Sequence, residues 1–199
     1  MAISLVWVAV VLLFITSSGL LLVRDWRWSI VLLAAQYLGM FVLILQHWPL
    51  GMGSVKVVAG WMSAAILGMT RSGLSNEEPD EESIWPRGRL FRLFAAAIIL
   101  LIIIVVTPAV DNIMADAGFP VTSGGLLLIG MGLLHLGITA RILPVTIGLV
   151  TVLAGFEILY SSVEGSVLVA ALLAMINLGL ALVGSYLMIA AQAPGTESP

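Results

Sequence analysis

The 199-residue chain has no cysteine, only two histidines, and charged side chains at just 10% of its positions. Without cysteine there are no disulfides, thiolate metal sites or haem attachment motifs. The histidines, His47 and His135, stand far apart in the chain, so a histidine-built metal centre is not expected. P-loop, H-E-x-x-H and G-x-G-x-x-G patterns are missing, and no cluster of groups reads as a catalytic centre. Cofactors, bound metal and nucleic-acid partners are therefore not expected, and the expected role is non-catalytic.

What the chain has in quantity is hydrocarbon. Hydrophobic residues make up 61% of it, and its mean hydropathy is +1.16. No soluble fold hides that much apolar surface, so the sequence predicts an all-α polytopic membrane protein. The apolar runs lack the alternation of an outer-membrane barrel. The first run, Ile3–Val23, has no basic stretch before it and no small-residue cleavage site, and reads as a retained span rather than a signal peptide.

Seven runs approach the ~20 residues needed to span. They are placed near Ala2–Val23, Trp28–Gln46, Gly53–Thr70, Leu93–Val110, Thr122–Ala140, Leu143–Ser162 and Gly165–Ala191. The third is short and carries Lys56 near one end. With the N-terminus outside and the C-terminus in the cytoplasm, Arg24, Arg27, Arg71, Arg87, Arg89, Arg92 and Arg141 all fall on the cytoplasmic side. Only Lys56 falls on the other. The expected location is the cytoplasmic (inner) membrane.

The organisation reads as a first three-helix unit over residues 1–70, an acidic and basic cytoplasmic loop over 71–92, a linking helix and outer loop over 93–121, a second three-helix unit over 122–192, and a disordered tail over 193–199. The loop contains the acidic run Glu77–Glu82, which suits a solvated spacer or a docking patch. An offset of 116 residues lays Gly39 on Gly155, Leu43 on Leu159 and Gly68 on Gly184. Because one odd span separates the units, both run outside to inside, as in a parallel repeat.

Five polar residues fall inside the spans: Gln36, Lys56, His135, Glu157 and Asn177. A charge in hydrocarbon costs about 2.5–3.5 kcal/mol on insertion scales, so Glu157 demands a reason to be there. It is either a proton-titrating site or a hydrogen-bonded helix contact to Asn177, His135 or a neighbouring subunit. His135, placed near mid-membrane, is either a relay or an interhelical contact. Lys56 is an interfacial anchor or a buried base for a partner's acid. Asn177 and Gln36 read as helix-packing polar groups. Gly124, Gly125, Gly130, Gly132, Gly137, Gly179 and Gly184 suggest close backbone approach.

The stretch Arg141–Ala191 carries a resemblance. Ile147-Gly148-Leu149, then Gly155-Phe156-Glu157, then Asn177-Leu178-Gly179-Leu180-Ala181-Leu182 resemble the NuoK/MnhC family, the small three-span subunit of complex I and the C subunit of Mrp-type cation/proton antiporters. In length and doubled architecture the chain is similar to hydrogenase-4 component E of that group. The resemblance implies a non-redox subunit of a complex-I-like, group-4 hydrogenase-like or Mrp-like ion-translocating complex. Such a subunit would scaffold antiporter-like partners, with Glu157, His135 and Lys56 as proton-path candidates. Where complex I's subunit carries glutamates, this chain has Val150 and Met175. A self-contained small transporter, with a site between the two units near Gln36, Lys56 and Glu157, is the alternative.

Overall fold

A computed structural model describes residues 3–74, 88–114 and 117–192. They form seven helices: α1 (Ile3–Leu22), α2 (Trp26–Ile44), α3 (Leu50–Gly73), α4 (Arg89–Ile113), α5 (Phe119–Ile138), α6 (Ile142–Tyr160) and α7 (Val167–Ala190). All seven are long and apolar enough to cross a membrane, and no strand occurs among the described residues. The chain is an all-α polytopic membrane protein. The acidic run Glu77–Glu82 and the tail 193–199 lie outside the described residues.

Local chemistry sets several helix ends. Asp25 caps α2, its Oδ1 accepting the Arg27 amide at 3.0 Å, so this helix starts two residues before the expected Trp28. Gly118 takes a φ of +79°, open to glycine, and Pro120 sits in the first turn of α5. Together they start α5 at Phe119, three residues earlier than the apolar run suggests. The third span is not the short one expected. It runs 24 residues from Leu50 to Gly73, about 36 Å at 1.5 Å per residue. The fourth begins at Arg89, so the connection between α3 and α4 is shorter than the 71–92 expected. α4 also continues through Pro108, whose ring removes a backbone donor. Next to it, the Thr107 hydroxyl donates to the Ile103 carbonyl at 2.6 Å.

The helices pack as two layers, α1–α2–α3 and α5–α6–α7, with α1 on α5, α2 on α6 and α3 on α7. α4 lies against α5 and α1 at one edge. The 116-residue offset recurs in this arrangement. α5 and α6 begin and end 116 residues after α1 and α2, and α7 is displaced from the same relation to α3 by one residue. Contacts repeat as well. Gly39 faces Ala9 and Leu13 while Gly155 faces Gly125 and Ile129, and Gly68 faces Ile30 while Gly184 faces Thr146.

Not every glycine serves packing. A Cβ on Gly125, Gly132 or Gly155 would meet atoms of the facing helix, some of them backbone. One on Gly137 or Gly179 would meet open space, so those two do not make the close approach expected of them.

Candidate functional site

The site is an ion pair sealed between the layers. Lys56 on α3 donates from Nζ to Oε1 of Glu157 on α6 at 2.6 Å, and each residue is 1% exposed. Two helical facts bring them together. α3 begins at Leu50, which places Lys56 six residues inside the helix rather than at its lip. Gly155 turns its bare face to α5, and two residues later, about 200° round the helix, Glu157 faces the other way. The acid for Lys56 therefore comes from its own chain, not from a partner.

Deeper along the same seam lies a set of neutral polar groups. Asn177 Nδ2 of α7 donates to Tyr37 Oη of α2 at 2.7 Å, and Asn177 Oδ1 lies 3.0 Å from the same hydroxyl. Gln36 Nε2, one residue before Tyr37, donates to Thr151 Oγ1 of α6 at 3.3 Å. The Ser63 hydroxyl on α3 bonds its own Ala59 carbonyl and approaches the Asn177 carbonyl at 3.4 Å. The Tyr37 ring packs flat against Gly60, where any side chain would collide with it. Gly60 lies one turn, about 6 Å along the axis, from Lys56 on α3. Gln36, Tyr37, Ser63, Thr151 and Asn177 are all buried.

Two acceptor oxygens in this seam are unpartnered among the described residues: Glu157 Oε2 and Gln36 Oε1. Buried polar atoms are normally satisfied, and each of these keeps accepting capacity that the described residues do not use. Above the pair, buried Trp48 in the α2–α3 connection donates its indole N–H to the Glu164 carbonyl in the α6–α7 connection at 2.9 Å. That bond ties together the two connections at the end nearest Lys56 and Glu157. Glu164 itself is an exposed loop residue.

His135 is not part of this group. It occupies the last turn of α5 rather than mid-span, because the helix stops at Ile138. On the facing α6 its level is near Gly148, about nine residues or roughly 14 Å from Glu157 along the axis. Of the three proton-path candidates, then, the fold joins Lys56 and Glu157 and sets His135 apart.

Sequence reasoning overlooked Tyr37, Ser63 and Thr151. A mid-span tyrosine is a usable signal, because its hydroxyl needs a partner once the ring is buried. The small hydroxyl residues give none, since Ser and Thr in helices commonly bond their own preceding turn. Replacing Tyr37 by Phe leaves the ring but strands the Asn177 amide. The expected loss is about 0.6–1.7 kcal/mol, the range for interhelical hydrogen bonds in membranes, read as a lower midpoint in detergent unfolding. No change would mean that Asn177 finds another partner.

Two clefts in the fold lie away from the pair. One cleft of about 160 Å³, between α6 and α7, is lined by Ala140, Thr146, Leu149, Leu180 and Gly184 among others. A second, of about 300 Å³, lies beside His47 and Gly118. Neither reaches Lys56 or Glu157. Among the described residues no three metal-ligating side chains converge. No family model, curated protein or solved structure matches the chain.

Proposed function

We propose that this chain is a non-redox membrane subunit of a proton-translocating assembly of the complex-I-like, group-4 hydrogenase-like or Mrp-like kind, in which Lys56 and Glu157 carry a proton between the two layers. The observation that supports this reading is the enclosed 2.6 Å contact between an amine and a carboxylate. Ionisable pairs inside membrane proteins are costly and mark ion and proton pathways. At this distance the pair holds one exchangeable proton. Moving that proton from Nζ to Oε1 converts two charges into two neutral groups with little rearrangement. The Tyr37, Asn177, Ser63 and Gln36 groups line the next step inward, and the free Glu157 Oε2 is a second landing point for a proton. The resemblance of Arg141–Ala191 to the NuoK/MnhC family supplies the expected setting: an inner-membrane complex with antiporter-like neighbours, N-terminus outside and C-terminus in the cytoplasm. The arginines of the α1–α2 and α5–α6 connections and of the first turn of α4 support that orientation.

A second reading is favoured by one observation. Gln36, Lys56 and Glu157 gather at the junction of the layers, where a self-contained transporter would bind its cargo.

Tagged at its C-terminus and isolated in mild detergent, the chain is expected to bring large antiporter-like membrane subunits with it. Glu157→Gln is expected to leave that recovery intact and lower proton uptake by inside-out membrane vesicles at least tenfold. Recovery of the chain alone, together with transport by it alone in liposomes, would replace the subunit reading with the transporter. Normal proton uptake by an intact Glu157→Gln assembly would remove the pair from the path.

A further inference from the structure

The ion pair lies far off-centre along the helices. Glu157 is three residues short of Tyr160, the end of α6, and Lys56 is six residues beyond Leu50, the start of α3. At 1.5 Å per residue these are about 4.5 Å and 9 Å from the α6–α7 and α2–α3 connections. In the other direction α6 runs back 15 residues to Ile142, past Thr151, and α3 runs on 17 residues to Gly73, past Ser63. Those distances are about 22 Å and 26 Å. A proton leaving the pair for water therefore has one short way out. Across that way lies Trp48, whose indole N–H bridges from the α2–α3 connection to the Glu164 carbonyl of the α6–α7 connection.

Trp48 is unlike the exposed tryptophans of the chain. Trp7, Trp28 and Trp61 are 42%, 61% and 47% exposed, whereas Trp48 is 3% exposed. An interfacial anchor presents its ring to lipid headgroups. This ring is turned inward, as a plug. The segment that carries it is held by its own backbone, with the Gln46, His47 and Trp48 amides donating to the Leu43 and Ile44 carbonyls. The segment it bonds to is held less firmly. After the Glu164 amide, which donates to the Tyr160 carbonyl, come Gly165, beside open space, and Ser166, which starts α7 without a side-chain cap. Val163, Glu164 and Gly165 are exposed, so moving them uncovers no core. A single neutral hydrogen bond contributes modestly to stability, so releasing the indole is a small step.

We infer that Trp48 is a gate, and that the Lys56–Glu157 pair exchanges its proton with the aqueous face carrying the α2–α3 and α6–α7 connections when the Trp48–Glu164 bond opens. The inference rests on the proton-path reading above and adds to it the face of the membrane that the pair serves. With the indole withdrawn, water reaches Glu157, and a proton passes from hydronium to the carboxylate or back again. The Lys56 stem is long enough to follow the opening toward the same connection. With the indole in place the pair is sealed, and its proton moves only between Nζ and Oε1 or further inward. The gate thus keeps the two faces from being joined by a continuous wet path.

The test uses the whole chain in membrane vesicles. Because the sequence has no cysteine, an introduced thiol is the only one in the chain. Glu157→Cys with Lys56→Met leaves no unpaired charge, and a membrane-impermeant methanethiosulfonate reports whether solutes in water reach position 157. Labelling is expected to be slow and confined to one vesicle orientation. That orientation is the one in which Val163→Cys, at an exposed position of the α6–α7 connection, reacts quickly. Adding Trp48→Ala is expected to speed labelling of position 157 at least tenfold from the same face. Trp48→Phe, which keeps a ring and loses the N–H, is expected to give a smaller rise, and it carries the test if the alanine variant does not fold. An unchanged rate in these variants, or labelling from the opposite face, would overturn the gate. The labelling does not depend on transport, so the two readings fail separately. Gated labelling in an assembly whose proton uptake ignores Glu157→Gln would remove the proton path and leave the gate no proton to pass. Ungated labelling where uptake requires Glu157 would remove the gate alone.

Discussion

Lys56→Met is expected to destabilise the protein by about 3–5 kcal/mol, and adding Glu157→Gln is expected to return most of that loss. Methionine fills the lysine's length but removes the ammonium, so the Glu157 carboxylate is left at 1% exposure with no partner on either oxygen. Breaking one half of a buried pair costs far more than removing both, because the surviving charge has lost its compensation. The double variant places a thioether beside an amide and buries no charge.

The reverse single change, Glu157→Gln, is expected to cost less. Lys56 lies six residues from the start of α3, and its four-carbon stem can swing the ammonium toward the α2–α3 connection. Glu157 has no comparable reach. The measurement is a double-mutant cycle in detergent unfolding, and the quantity of interest is the coupling between the two positions. A coupling near zero would mean that the two side chains do not meet in the folded protein, and the proton-path reading would lose its geometry. A large coupling with unaltered ion transport would leave the pair as a clasp between layers and nothing more. For this reason the transport assay and the cycle belong together.

The spans were legible because their signal is crude. Seven stretches of about the right length and very low polarity allow few arrangements. Charged and amide residues inside them stood out because there are so few. Their pairing was not legible. Lys56 and Glu157 are 101 residues apart, and whether they meet depends on α3 beginning at Leu50, before the apolar run that defines its span. Read from Gly53, Lys56 sits near a helix lip and looks like an anchor. Read from Leu50, it is nearly two turns inside. The same sensitivity misplaced His135, because a few residues of shift at the ends of α5 decide whether a histidine is central or terminal. The polar layer of Tyr37, Ser63 and Thr151 depends on rotation about helix axes, which apolar periodicity does not report in helices that are hydrophobic all round.

Gly155→Ala is expected to cost about 1–3 kcal/mol, a large effect for a single methyl. A Cβ at this position would lie 2.6 Å from the Gly125 carbonyl oxygen and 2.7 Å from the Ile129 amide nitrogen. Both are backbone atoms of α5, so no side chain can rotate aside and the two helices must separate. Gly39→Ala, its counterpart 116 residues earlier, is the control. There the nearest atom is the Leu13 Cδ2 at 2.8 Å, and the Ala9 carbonyl lies 3.3 Å away, so a leucine rotamer absorbs most of the strain. Gly137→Ala and Gly179→Ala, which meet nothing, should be neutral or stabilising by up to about 1 kcal/mol, the ordinary gain of alanine over glycine in a helix. The change at Gly155 reaches the ion pair because α6 carries both. Pushing α6 away from α5 moves Glu157, on its opposite face, relative to Lys56, so in a Lys56→Met background the cost of Gly155→Ala should shrink. Strict additivity across that second cycle would show that α6 accommodates the methyl locally and that the packing of the second layer does not set the geometry of the pair.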